Sequence, residues 1–437
     1  MEKLLHYCWK HRILPFADMR TIDGKVVDVI DPGMLNTDAG PDFFNAKVAI
    51  GGKIWAGNVE IHTKRQDWYA HGHNTDAVYD NVILHVIRRG ESHREGMEIK
   101  TSEGRTVPEM EIDIPEHILK NYRELIAEDS YPPCYRIIPN LPKVMVHAWM
   151  AALQTERLEQ KTEALMKTLS LLNGDWEHSF FVALARSFGM GANSDALEMW
   201  ARELPVTAVA HHRDDLFQIE ALFFGRAGML DLSNIRDKRK DVVAEDKYFS
   251  RLTTEYSYLL HKFSLPAPMP LKWHLLRMRP QNFPHVRIAQ LARLFHERRT
   301  SLSSLLECKT PEDIFNLLSC GVSEYWERHY VFGKESLPNT KHLSKASANV
   351  IMINCAIPIL FAYGRFTGDD SLCDRAIDLL DTLKAENNTI TRLWKNVGLD
   401  VATAGDSQAL IQLKKCYCDR KDCLRCRIGY KYLAEKK

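Results

Sequence analysis

Residues 40–85, GPDFFNAKVAIGGKIWAGNVEIHTKRQDWYAHGHNTDAVYDNVILH, concentrate side chains that folding alone does not explain. Two apolar-alternating runs, Phe44–Ile50 and Lys53–Ile61, flank Gly51-Gly52. A glycine pair between two period-two runs predicts a β-hairpin, because the tight turn needs positive φ. Asp42 precedes the first run and Glu60 ends the second, so the fold can bring the two carboxylates together. His62, Lys64, Asp67, His71, His73, Asp76 and His85 follow. Strands rarely need so many titratable groups for packing, which makes this segment the candidate site.

Outward from the hairpin, residues 2–12 read as a helix with Leu4, Leu5, Tyr7, Cys8 and Trp9 as apolar positions. Strand-like runs appear at Lys25–Ile30, Ala46–Ile50, Ile54–Ile61, Asn81–Ile87 and Glu98–Thr101, with a further one near Val107–Ile112. Helix, three strands, a polar connection and another strand predict a small α/β domain with a mixed sheet over 1–127. The proline-rich stretch EDSYPPCYRIIPNLP, 128–142, is the expected linker. Beyond it the periodicity turns helical, first over Val144–Leu172. Further helices are expected at 177–188, 194–203, 214–230, 243–263, 285–297, 312–319, 342–364, 370–385 and 406–414. The whole therefore reads as α+β followed by α: an α/β domain, a helical domain over 143–412, and a basic cysteine-rich tail over 413–437.

Composition narrows the class. With 437 residues, two or three domains are expected. A chain 45% hydrophobic and 26% charged is an ordinary globular protein, not a disordered one. Net charge is +1, so nucleic-acid affinity must come from local patches. No run of about 18 uninterrupted apolar residues occurs, and His, Lys and Arg interrupt the first residues, so neither a membrane span nor a signal peptide is expected. A cytoplasmic protein with reduced thiols and one metal cluster fits the ten cysteines, four of which fall between Cys416 and Cys426.

Two carboxylates and a backbone carbonyl, here that of Ile61, suit a hard divalent ion that keeps waters in its shell. Pro41-Asp42 and Glu60-Ile61-His62, on adjacent strands after an N-terminal helix, resemble the PD-(D/E)xK restriction-endonuclease-like superfamily over residues 1–115. That resemblance implies that Asp42 and Glu60 bind Mg²⁺ or Mn²⁺. His62 stands where the superfamily has lysine, so His62 or Lys64 would act on the attacking water, with Lys47 as another candidate. His71 and His73 would line the cleft and contact phosphates. They and Asp76 have two other readings, a capped polar loop or a transition-metal site of their own.

In the tail, Cys416, Cys418, Cys423 and Cys426 form C-x-C-x4-C-x2-C, a thiolate set for Zn²⁺ or an Fe–S cluster. The last three are the stronger ligands, with Cys416, Cys8 or a histidine as the fourth. Nine Lys/Arg against three acids over 414–437, among them Arg420, Lys421, Arg425 and Arg427, make a candidate phosphate-binding patch. Arg277, Arg279, Arg287 and Arg293 suit phosphates or buried carboxylates, and structural pairing is expected of them.

GPDF, NVEIH, HGH with YDNVILHV, FFGRAGML, RPQNFPHVRIAQLA and the C-x4-C-x2-C tail together resemble an uncharacterised bacterial domain-of-unknown-function family. That family supplies no activity. The resulting expectation is a metal-dependent phosphodiesterase, a nuclease acting on DNA in repair or defence. The alternative is a non-catalytic nucleic-acid-binding or scaffold protein with a degenerate nuclease fold. A transition-metal hydrolase using His71, His73 and Asp76 is the third reading.

Overall fold

The computed structural model describes residues 1–13, 19–90, 98–127, 131–235 and 237–436. They divide into two units, Met1–Pro142 with Lys414–Lys437, and Lys143–Leu413. Residues 128–130 of the expected linker lie outside the described residues.

The first unit begins with α1 (Glu2–Lys10), whose Leu4, Leu5, Cys8 and Trp9 form the i, i+4 stripe that it buries. Strands β1 (Val27–Asp31), β2 (Met34–Leu35) and β3 (Phe43–Ile50) follow, then β4 (Lys53–His62). Gly51 and Gly52 take φ of 56° and 83° and reverse the chain between β3 and β4, as the glycine pair predicts. A four-residue helix, α2 (Asp67–Ala70), and a single turn at Ala77–Tyr79 lead to β5 (Val82–Arg88) and β6 (Glu109–Ile112). The sheet order is β1-β3-β4-β5-β6, with β2 paired to β3. Pairing is antiparallel from β1 to β4 and parallel across β4, β5 and β6. β5 is buried at six of its seven positions, as a central parallel strand is.

One departure from the sequence reading lies beside the site. The run Glu98–Thr101 makes only an isolated bridge, Lys100 to Thr106, because the chain turns at once through Gly104 at φ 80°. The polar connection from β4 to β5 is built from the short helix α2 and the Ala77–Tyr79 turn. Trp68 holds it, wholly buried with Tyr79, Val82, Ile99 and Val107, its indole N–H donating to the Lys100 carbonyl at 3.0 Å. Emptying that position would cost about 3–5 kcal/mol.

The tail is part of this first unit. Its last helix, Arg427–Ala434, packs on α3 (Glu116–Ala127). The buried Asn121 amide of α3 donates to the carbonyls of Tyr432, Leu433 and Glu435 at 3.1, 3.1 and 2.8 Å. One side chain thereby meets the carbonyls at this helix C-terminus, of which that of Tyr432 also accepts from the Glu435 amide at 3.3 Å.

The second unit is helical, opening with α4 (Lys143–Leu171). Its run Lys345–Thr367 is long and apolar enough to cross a membrane, but 67% of its most apolar window is buried inside the unit, as in a core helix. Asn349 and Asn354 interrupt its apolar sequence. Arg287 is buried and donates to Gln290 Oε1 at 2.8 Å and Asn282 Oδ1 at 2.7 Å, the structural pairing expected of it.

Glu220 is wholly buried on the helix Leu216–Arg226, where it accepts a hydrogen bond from the Tyr248 hydroxyl. Burial pushes its carboxyl up to about 7 from an ordinary 4.5. An acid raised in the fold binds more protons folded than unfolded between those values, so stability is full below about 4.5 and falls as pH rises toward 7. The loss is on the order of 3 kcal/mol. Urea unfolding at acid and alkaline pH should show it, and Glu220→Gln should flatten it; an unchanged slope in the variant contradicts this account.

Candidate metal site

The sheet brings Glu60, His85 and Glu109 into one row across β4, β5 and β6. His62, two residues beyond Glu60, shares its face of β4. Glu60, His62, His85 and Glu109 are all buried, at 4%, 2%, 0% and 8% exposure. Charged and polar groups that deep need partners, and these partners form an ordered chain.

The Arg65 guanidinium grips Glu109 with Nε at 2.9 and 3.0 Å and Nη2 at 2.6 Å. Burial works to raise the Glu109 carboxyl, but bonds from His85 and Arg65 hold it below its ordinary value. Glu109 is thus an acceptor only. His85 Nδ1 lies 3.3 Å from Glu109 Oε1 and must carry the proton. His85 Nε2 is then an acceptor, 2.9 Å from His62 Nδ1, which donates to it. The remaining nitrogen of His62, Nε2, is left with a free lone pair. Burial first, and then the neighbouring imidazoles, push the His62 pKa down to about 2, so the ring is neutral. A neutral histidine whose far nitrogen is fixed by a hydrogen bond is prepared as a metal ligand.

His71 and His73 meet His62 from the loop after α2. Gly72 at φ 76° makes the turn that lets histidines two residues apart reach one spot. The His73 ring stacks on Tyr79 at 3.8 Å and lies parallel to His62 at 5.3 Å. Ligand atoms of His62, His71 and His73 all lie within 4.8 Å of one another, the one such group of His, Cys, Asp or Glu among the described residues. Glu60 Oε1 stands 3.4 Å from His62 Nε2 and 3.2 Å from His73 Nε2. His73 Nε2 is buried without an aligned hydrogen bond, despite that short contact. An unpaired buried nitrogen facing a lone pair and a carboxylate fits a cation among them, and this donor set suits Zn²⁺ or Mn²⁺. His71 is exposed, which leaves the solvent side open.

Asp42 and Glu60 lie side by side. Asp42 Oδ2 accepts from the Ile61 amide at 2.9 Å, and Glu60 Oε2 from the Asp42 amide at 3.1 Å. A bulge between Phe43 and Ala46, with Asn45 at φ 55°, aims the start of β3 toward this end of the sheet. Burial raises the Glu60 pKa and the Asp42 charge adds to it, outweighing His73. His6 of α1 completes the group, with Nε2 3.2 Å from Asp42 Oδ2.

Other expected site residues stand apart. β4 ends at His62, so Lys64 does not continue its face; it is exposed, and its amide donates to Asp67 at 3.2 Å. Lys47 pairs with Ala56, toward the other end of β4. Asp76 caps the Ala77–Tyr79 turn through the Val78 amide at 3.0 Å. Arg420, Lys421, Arg425 and Arg427 are exposed; Lys421 donates to the Ile126 carbonyl, and Arg425 lies 3.4 Å from Asp422. The sequence reading missed His6, Arg65 and Glu109; His85 is fully buried with both ring nitrogens hydrogen-bonded, so it supports the site without being in its ligand group. The available signal was two titratable residues, His85 and Glu109, each set in an apolar strand run.

Mn²⁺ prefers nitrogen and oxygen donors to thiolates, so it can report this site without the cysteines. Spin-resonance titration should show binding that His73→Ala weakens and that Glu109→Gln, which touches no ligand directly except through His85 and His62, weakens about 10–100-fold. Unaltered affinity in both variants contradicts the assignment.

The chain matches, over residues 2–389, the family described as Protein of unknown function (DUF2851), and it belongs to that family. No curated protein and no solved structure matches it.

Proposed function

We propose that the first unit is a metal-dependent phosphodiester hydrolase acting on DNA. The observation that carries this reading is the convergence of His62, His71 and His73 on one open-sided point with Glu60 against it. Three histidines hold a catalytic ion while leaving a position for water. Bound there, Zn²⁺ or Mn²⁺ supplies Lewis acidity and lowers the pKa of a water. The histidine trio favours such an ion over the Mg²⁺ that the two carboxylates alone suggest.

Each protein group then has a task. His62, His71 and His73 hold the ion, and the Arg65–Glu109–His85 chain keeps the His62 lone pair turned toward it. Glu60, whose pKa burial raises above its ordinary value, stands against the histidine trio where it can accept a proton from the attacking water. Asp42 keeps Glu60 raised and ties the ends of β3 and β4 together through the Ile61 amide. Phosphodiester substrates are inferred from the strand order, with Asp42 and Glu60-Ile61-His62 on adjacent strands as in restriction-endonuclease-like enzymes, and from the exposed basic tail within the same unit. Histidine in place of the superfamily's lysine is consistent with a ligand role at that position.

The burial of Glu60, His62 and His73 favours a second reading, a structural metal in a non-catalytic nucleic-acid-binding scaffold. Incubation of single- and double-stranded DNA with Mn²⁺ separates the two. The hydrolase reading expects cleavage that Glu60→Gln reduces about 10²–10⁴-fold, the usual worth of a general base, with Mn²⁺ still bound. Absence of cleavage by the Mn²⁺-loaded protein, with salt-sensitive DNA binding intact in Glu60→Gln, would establish the scaffold.

A further inference from the structure

The tail cysteines acquire a partner that their spacing does not reveal. Cys418 ends the turn Leu413–Cys418, Cys423 opens the turn Cys423–Arg425, and Cys426 caps the last helix. Backbone bonds from Lys421 to the Cys418 carbonyl at 3.0 Å and from Cys426 to the Cys423 carbonyl at 3.2 Å close two tight loops around these residues. Gly429 has no room for a side chain, since a Cβ would sit 2.1 Å from the Cys423 carbonyl oxygen.

The loops rest against the segment that precedes α4. The Lys414 ammonium lies over the Tyr131 ring at 4.6 Å, and the Tyr131 hydroxyl engages the Cys418 thiol. Three residues on, Cys134 is buried at 7% exposure. Its thiol has those of Cys426, Cys418 and Cys423 as neighbours. Cys416 and Cys418 are two apart in a helical turn, a spacing that does not place side chains on one face. Cys8 lies on the buried stripe of α1, and burial alone raises its pKa.

We propose that Cys134, Cys418, Cys423 and Cys426 form a four-thiolate centre for a soft tetrahedral metal, either a zinc ion or an iron–sulfur cluster. The inference stands independently of the hydrolase reading. Its role is structural: it ties residue 134 to the tail beside α3, where the Asn121 bonds, the Lys421–Ile126 bond and the Tyr432–Glu124 bond make further attachments. No three of these sulfurs meet the 4.8 Å spacing of the histidine group, so the proposal requires them to close on the metal when it binds. The four thiols release their protons to solvent as they bind. A C-x4-C-x2-C run with a distant fourth cysteine is also a spacing used by [2Fe–2S] proteins, so both occupants share the same ligand chemistry.

The test uses full-length protein purified without oxygen and carrying His71→Ala and His73→Ala, which removes the histidine site from the count. Elemental analysis distinguishes zinc from iron with sulfide, and visible charge-transfer absorption marks a cluster. X-ray absorption at the metal edge should find four sulfur neighbours, at about 2.3 Å for zinc. Cys416→Ser should retain the metal, whereas Cys134→Ser should lose it as Cys426→Ser does. If Cys134→Ser does not fold, the sulfur count combined with retention in Cys416→Ser still decides. Three sulfurs with one nitrogen or oxygen neighbour, loss of metal in Cys416→Ser, or a protein that binds neither zinc nor a reconstituted cluster overturns the proposal.

Discussion

A single buried carboxylate, Glu109 on β6, sets the state of the site through two successive hydrogen bonds, by way of His85 to His62. It remains ionised because Arg65 grips both its oxygens, and an ionised acceptor forces the proton of His85 onto Nδ1. His85 in turn fixes the proton of His62 and turns its free lone pair toward Glu60 and His73. Neutralising Glu109 releases this whole order, although Glu109 itself is far from solvent. The energetic logic is that of buried polar networks, in which each member is worth keeping only while every other is satisfied.

The same dependence explains why the loop 67–73 is held so firmly without a long crossover helix. Trp68 anchors it below, Tyr79 stacks on His73, and Gly72 supplies the one backbone conformation that turns both histidines inward. Apolar burial fixes the position of the loop, and the imidazole chain fixes its chemistry. His71, on the open side, is the ligand candidate with the freest access to solvent.

Much of this was legible in the chain. The glycine pair announced the β3–β4 hairpin, and Asp42 and Glu60 at its two ends do lie together. The strand-like run Asn81–Ile87 marked β5, and helical spacing marked α4. The histidine trio was not legible, because its assembly needs the φ of Gly72 and the parallel pairing of β4 with β5, neither of which local patterning encodes. The part played by His85 was hidden for the same reason: burial and a functional hydrogen bond leave the same trace in sequence. Lys64 read as a neighbour of Glu60 only while β4 was assumed to run on, and the Asp67 carboxylate ends that run by accepting the Lys64 amide. Cys134 lay hidden because nearly three hundred residues separate it from the cysteines that it approaches.

The central claim is that His62, His71 and His73 hold a metal beside Glu60. Anomalous diffraction from crystals soaked in Mn²⁺ tests it most directly. The account predicts one anomalous peak within bonding distance of a nitrogen of each of the three histidines, with Glu60 adjacent. Well-ordered, unliganded imidazoles at full Mn²⁺ concentration, or a peak bound by Asp42 and Glu60 with the histidines turned away, would contradict it.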